Sequence, residues 1–196
     1  MSVLAKISLP KLTIIFAGVI LFAGIISCLW FIFLGTTQVA VSTRAITEVS
    51  RYQEIRAGYE DSLLIQHFPE SLPPEATDVQ IEYLPKFLQG GGYFKLSYKL
   101  PLEQINELHT RFNGTARYKY REGDVNHLTG NLPDDVPRPS FQMSASTKED
   151  SFETYEVFIL DIQAARGAES EWNHGYSYGV AIDDTAWRVV YWNEYW

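Results

Sequence analysis

The chain has 196 residues, 24 of them acidic and 16 basic, for a formal net charge of −8. That balance argues against nucleic-acid binding, which depends on clustered positive charge. With 5 Trp, 12 Tyr and 11 Phe it also argues against a disordered chain, because disorder goes with few aromatics.

From the N-terminus, residues 1–11 carry Lys6 and Lys11 and no acidic side chain. Leu12 to Leu34, LTIIFAGVILFAGIISCLWFIFL, then runs 23 residues without a charge. At about 1.5 Å per residue such a helix spans roughly 34 Å, enough for a hydrocarbon core of about 30 Å. Backbone polar groups in lipid must pair within the segment, so the run is expected to be a transmembrane helix, with Trp30 near its far interface. The lysines before it and the carboxylates after it put the N-terminus in the cytoplasm and the rest outside. The expected anchor is uncleaved and sits in the plasma membrane.

Two other readings compete with this one. A cleaved signal peptide normally has an apolar stretch of about 7–15 residues, shorter than this one. Ile25-Ile26-Ser27-Cys28 has the form of a lipobox, but the chain stays apolar through Leu34 instead of opening into a polar tether. Ala23 with Ser27, and Gly24 with Cys28, are small pairs four apart, a spacing that favours helix dimerisation and makes a homodimer one reading. Cys28 is the sole cysteine, so the rest of the chain folds without disulfides.

Residues 36–196 suffice for one domain with a sizeable core. Residues 35–66 read as a juncture and a membrane-proximal helix over 44–66, broken near Gly58, with Ile46, Val49, Tyr52, Ile55 and Tyr59 at helical spacing and Pro69 and Pro73 beyond it. Residues 67–196 form the predicted extracytoplasmic domain. Period-two alternation places strands at 78–84 and 92–100, the second with Phe94, Leu96, Tyr98 and Leu100 inward and Lys95, Ser97 and Lys99 toward water. Leu102, Ile105, Leu108 and Phe112 make a helical stripe over 101–112, ended by Asn113-Gly114. A strand follows at 116–122. Residues 123–150 lack periodicity, and a loop of that length is usually functional or flexible. Strands at 152–162, 175–183 and 187–196 complete an α+β fold: a mainly antiparallel sheet of about six strands with one or two packed helices.

The stretch HFPESLPPEATDVQIEYLPKFLQGGGYFKLSYKL and the terminal YGVAIDDTAWRVVYWNEYW resemble bacterial extracytoplasmic proteins that share an FP-x-x-[IL]-P segment and an FLQGG turn. The resemblance implies a domain tethered to a membrane or a lipid. It implies no activity and assigns no functional residue.

No catalytic residue, metal site or cofactor is expected. Gly175-Tyr176-Ser177-Tyr178-Gly179 matches the nucleophile-elbow pattern, but a strand rather than a helix should follow, and no histidine lies beyond His174. Asp134-Asp135 and Asp183-Asp184 lack calcium-loop spacing and read as turn aspartates. Three candidate binding surfaces remain. One is the loop at Trp172, Asn173 and His174. The second is the terminal hairpin, where Trp192 and Trp196 share a strand face; the leading reading of these aromatics is core, and only exposure would make them a binding surface. The third is an anionic-ligand patch of Lys95, Lys99, Arg117, Lys119 and Arg121, conditional on their strands being neighbours. The expected function is a binding, sensing or interaction domain at the cell envelope. Its partners would be the lipid bilayer through residues 12–34 and an envelope protein or ligand. The alternative is an envelope-acting hydrolase or transferase using carboxylates that the fold brings together.

Overall fold

The computed structural model describes Phe22, residues 24–27, Trp30, 44–59, 63–86, 91–122, 132–133, 136–143, 152–164 and 174–196. The chain divides into two units, Met1–Arg44 and Ala45–Trp196. In the first, Phe22, residues 24–27 and Trp30 are helical and exposed. Among the described residues no helix is long and apolar enough to cross a membrane. Most of the span expected at 12–34 lies outside the described residues, as do the lipobox Cys28 and the loop residues Trp172 and Asn173.

The second unit is built on one antiparallel sheet of six strands: β1 (Thr77–Leu84), β2 (Gly92–Lys99), β3 (Tyr118–Arg121), β4 (Glu156–Ala164), β5 (Gly175–Asp183) and β6 (Arg188–Tyr195). Their order is β1-β2-β6-β5-β4-β3, with every neighbouring pair antiparallel. Two helices accompany it, α1 (Tyr52–Ala57) and α2 (Leu102–Thr115). The α+β architecture is therefore present, with few helices.

Alternation along the strands divides the side chains between two faces. Phe94, Leu96, Tyr98, Val180, Ile182, Val189, Tyr191 and Phe158 point to one face. There they meet Ile105 and Phe112 of α2, Tyr52 and Ile55 of α1, and Ile65 and Phe68 of the turn between α1 and β1. Each large side chain buried this way contributes about 1.5–3 kcal/mol of transfer free energy. His109 of α2 reaches Glu156 of β4 at 2.8 Å and fixes the helix across that face.

The long membrane-proximal helix expected over 44–66 is much shorter. After a 3-10 turn at Val49–Arg51, α1 runs six residues and closes at Gly58, whose N–H bonds to the carbonyls of Glu54 and Ile55. Residues 63–67 are turns that insert Leu64 and Ile65 into the core, so apolar spacing that mimicked one helix serves two separate contacts. Helix α2 runs past its expected end, because Asn113 and Gly114 remain helical and the stop falls at Ala116.

The other face was expected to meet water, and it does not. Phe141 and Leu132 pack on Val157, Ile159, Val190 and Trp192 there. Residues 136–143 thus lie as a strap across the sheet and bury Lys95 and Ser97 of β2. The strap lies within the aperiodic stretch 123–150, and its residues 136–143 form neither helix nor strand.

Candidate functional site

The sheet sorts the predicted site residues in an unexpected way. Trp192 is fully buried and belongs to the strap-face core, so of the two readings of the terminal aromatics it takes the core one and is not a surface binding residue. Its indole lies over Gly179 on β5, where an added Cβ would come within 2.6 Å of the ring and collide with the Phe158 carbonyl. Trp196 is half-buried against the same core and lies against Gly175 in the same manner, at 2.8 Å from a Cβ built there. The two glycines of the GYSYG motif are thus seats for two tryptophans. Ser177 between them is fully buried, donates to Glu194 Oε1 at 2.8 Å and accepts from Trp192 Nε1 at 3.4 Å. His174 is exposed at the start of β5.

The basic patch does not form. Lys95 and Lys99 lie on β2, Lys119 and Arg121 lie on β3, and three strands stand between. Lys95 is buried and donates to the Gln142 carbonyl at 2.6 Å. Arg117 pairs with Asp161 at 2.8 Å, and Lys119 donates to Asn113 Oδ1 at 2.9 Å. Asp183 is a turn residue, as its spacing suggested: its Oδ1 accepts from the Thr185 and Ala186 N–H groups.

Two other clusters emerge, one on each face. On the strap face, Glu82, Lys95 and Glu194 sit side by side on β1, β2 and β6. Burial pushes the Glu194 carboxyl above its ordinary range, against Ser177, the Ser140 N–H and Lys95, which favour the charge. Burial likewise lowers Lys95, opposed by Glu82 and Glu194. Shifted groups often mark active sites. Here, however, their polar ends are engaged by the protein: Tyr93 donates to Glu82 at 2.6 Å, Ser140 N–H to Glu194 at 3.1 Å, and Lys95 to the strap. The cluster clasps the strap to the sheet.

The helix face carries the stronger candidate. A cleft of about 650 Å³ opens between α2 and the turn Gln66–Pro73. Ile105, Leu108 and Phe112 turn toward the sheet, so Glu103, Glu107 and Arg111, at four-residue steps, form a neighbouring line along α2, and all three line the cleft. The opposite wall is His67, Phe68, Pro69, Glu70 and Pro73, and the sheet contributes Tyr98, Leu100 and Tyr191. This wall is anchored by four hydrogen bonds: Tyr52 Oη to Pro69 O at 2.6 Å, Gln53 Nε2 to Glu70 O at 3.0 Å, Asn193 Nδ2 to Leu64 O at 3.0 Å and His67 Nε2 to Trp192 O at 3.0 Å.

A carbonyl only accepts, so Nε2 of His67 carries its proton. Burial holds the imidazole pKa down at about 3, against the raising influence of the Trp192 and Gly179 backbone, and the ring is neutral. Its Nδ1 is buried without a hydrogen-bond partner. Burial raises the phenols of Tyr98 and Tyr191, which keep their protons. Glu70, Glu103, Glu107 and Arg111 are exposed, and none belongs to an ion pair among the described residues.

The chain matches no protein-family model, no curated protein and no solved structure. The geometry of the cleft is therefore what bears on function.

The sequence offered no direct signal for this site. In the sequence His67 is one of four scattered histidines, and Glu103 and Glu107 fall on the polar side of an amphipathic helix. Only the four-residue spacing of Glu103, Glu107 and Arg111 could have flagged a line of charge on one helix face.

Proposed function

We propose that this chain is a single-pass membrane-anchored extracytoplasmic protein whose folded domain binds a small ligand at the cell envelope. The observation that carries the binding reading is the cleft, where carboxylates and a guanidinium without ion pairs among the described residues rim a partly aromatic floor. Ligand sites are typically concave, about 300–1,000 Å³, mostly apolar and furnished with a few convergent polar groups. The membrane reading is supported by the uncharged run 12–34 and by the lysines that precede it.

Gln104→Trp on α2 tests the cleft, because the indole would fill it from its helix wall. A small-molecule screen by ligand-observed NMR should give hits on the wild type that disappear in Gln104→Trp, with circular dichroism unchanged. Hits that persist in the variant, or a screen without hits, would overturn the reading. Protease treatment of spheroplasts tests topology: digestion of the domain is expected, and a protected domain would sink it.

The rival enzymatic reading has one observation in its favour, three carboxylates in one cleft. All three are exposed, whereas a general acid near neutral pH is ordinarily tuned by burial. Turnover of envelope glycan or peptide that is lost in Glu103→Gln would reverse that preference.

A further inference from the structure

The two ends of the sheet carry different residues. Along one end the cross-strand register joins Thr77, Lys99, Arg188 and Asp183, a polar and charged row. Along the other it joins Leu84 to Tyr93, Gly92 to Tyr195, and Tyr195 to Tyr176, and the backbone of Trp196 bonds to that of Gly175. Tyr93, Tyr176, Tyr195 and Trp196 are half-buried. Alternation sends Tyr176 and Tyr195 to the helix face and Tyr93 and Trp196 to the strap face, so rings line both faces of that end. Lys86, exposed just beyond β1, holds its ammonium 4.6 Å from the centre of the Tyr195 ring. Trp187 is exposed in the turn at the charged end, so one exposed indole is not what sets the ends apart. The distinction is a group of four amphipathic rings with a lysine.

The chain enters the sheet at the aromatic end. Ile46 pairs antiparallel with Tyr83, each N–H bonding to the other's carbonyl, so Ala45 lies toward Leu84. Eleven residues, 35–45, separate Ile46 from the uncharged run that closes at Leu34. Fully extended they reach at most about 40 Å. Such a tether holds this end near the bilayer at an effective concentration on the order of millimolar, where even a weak surface affinity is populated. Tyrosine and tryptophan favour the headgroup level, where one side of the ring is apolar and the other wet, and a lysine there extends its charge into the polar layer. The net charge of −8 gives no general attraction to anionic lipid, so the rings and Lys86 must supply the contact.

We infer that the aromatic end of the sheet, Tyr93, Tyr176, Tyr195 and Trp196 with Lys86, docks on the headgroup region of the bilayer in which residues 12–34 are anchored. The inference rests on the membrane reading of that run.

A nitroxide depth measurement tests it on the full chain in phosphatidylcholine vesicles. The label is placed by Gln163→Cys, exposed beside Tyr176 at the aromatic end, or by Asp184→Cys, exposed in the turn at the charged end, each in a Cys28→Ser background. The reading is the ratio of collisions with oxygen, which partitions into lipid, to collisions with an aqueous nickel complex present on both sides of the vesicle. Crowding by protein lowers both and cancels. The ratio at 163 should be severalfold higher than at 184. Tyr176→Gln/Tyr195→Gln should bring it down to the value at 184. Lys86→Glu, at an exposed side chain, should lower it partway, and it decides alone if the double variant fails to fold.

Equal ratios at the two positions would overturn docking, and so would a raised ratio indifferent to the variants. Loss of both kinds of collision at 163 would mean that protein covers this end, which overturns the lipid assignment. Alkaline carbonate extraction of the same vesicles is read first. A chain that washes off overturns the anchor and the docking together; one that stays leaves the label ratio to judge docking by itself.

Discussion

The two faces of the sheet both bury charged or polar groups, and they do so in opposite ways. Under the strap, Glu82, Lys95, Glu194 and Ser177 turn to one another and to backbone of residues 140–142. On the helix face, exposed Glu103, Glu107 and Glu70 line a cleft without ion pairs among the described residues, beside a buried histidine whose Nδ1 has no hydrogen-bond partner among them. Charge is common to both, but in one place it is consumed by the fold and in the other it is left over. Shifted pKa values occur on both faces, at Glu194 and Lys95 under the strap and at His67 in the cleft, so they do not choose between them. Counting which groups already have partners picks the helix face.

Substitutions should separate a structural face from a binding face. The largest effect is expected from Trp192→Ala, which would cost about 3–5 kcal/mol by leaving a cavity over Gly179. Urea unfolding would measure it, and a loss below about 1 kcal/mol would restore Trp192 as a surface residue. Lys95→Met should follow, at about 2–3 kcal/mol, because Glu82 and Glu194 lose a buried countercharge and Gln142 loses a donor. Susceptibility of 136–143 to limited proteolysis should rise with it. An intact strap in that variant would break the clasp.

The faces should also respond to pH with opposite signs. His67 is neutral when folded, with a pKa of about 3 against 6.5 for the free side chain. The unfolded chain therefore binds the proton first, and stability present above about pH 6.5 is lost as pH falls toward 3, at up to about 1.4 kcal/mol per pH unit. His67→Gln should flatten that slope in urea midpoints taken between pH 4 and 7. Glu194 is raised when folded, so there the folded chain binds the proton first. Its ionisation weakens the fold as pH rises above the ordinary carboxylate range. Glu194→Gln should accordingly gain on the wild type with increasing pH over that interval. A variant-to-wild-type difference that is flat with pH would remove Glu194 from this account.

The smallest stability effect belongs to Glu103→Gln/Glu107→Gln, within about 0.5 kcal/mol, since exposed carboxylates without partners hold little of the fold together. A larger loss would mean that these side chains are structural after all.

Local pattern carried a good deal of this protein. Alternation at 92–100 and the apolar stripe through Leu102, Ile105, Leu108 and Phe112 determined which side chains of β2 and α2 turn inward, because period and burial are tied within one element. The closing hairpin was equally legible, from 175–183, the Asp183 turn and 187–196. Other features depended on partners distant in sequence. The last strand enters between β2 and β5, an order that no local pattern encodes, and this separates Lys95 from Lys119. The strap has no periodicity, so nothing in residues 123–150 announced that it covers Lys95 and Ser97, and a wet face became a dry one. His67 and Trp192 are 125 positions apart, yet one hydrogen bond joins them and sets one wall of the cleft. A sequence specifies what each segment prefers to bury. Which charges remain without partners is decided only when the segments meet.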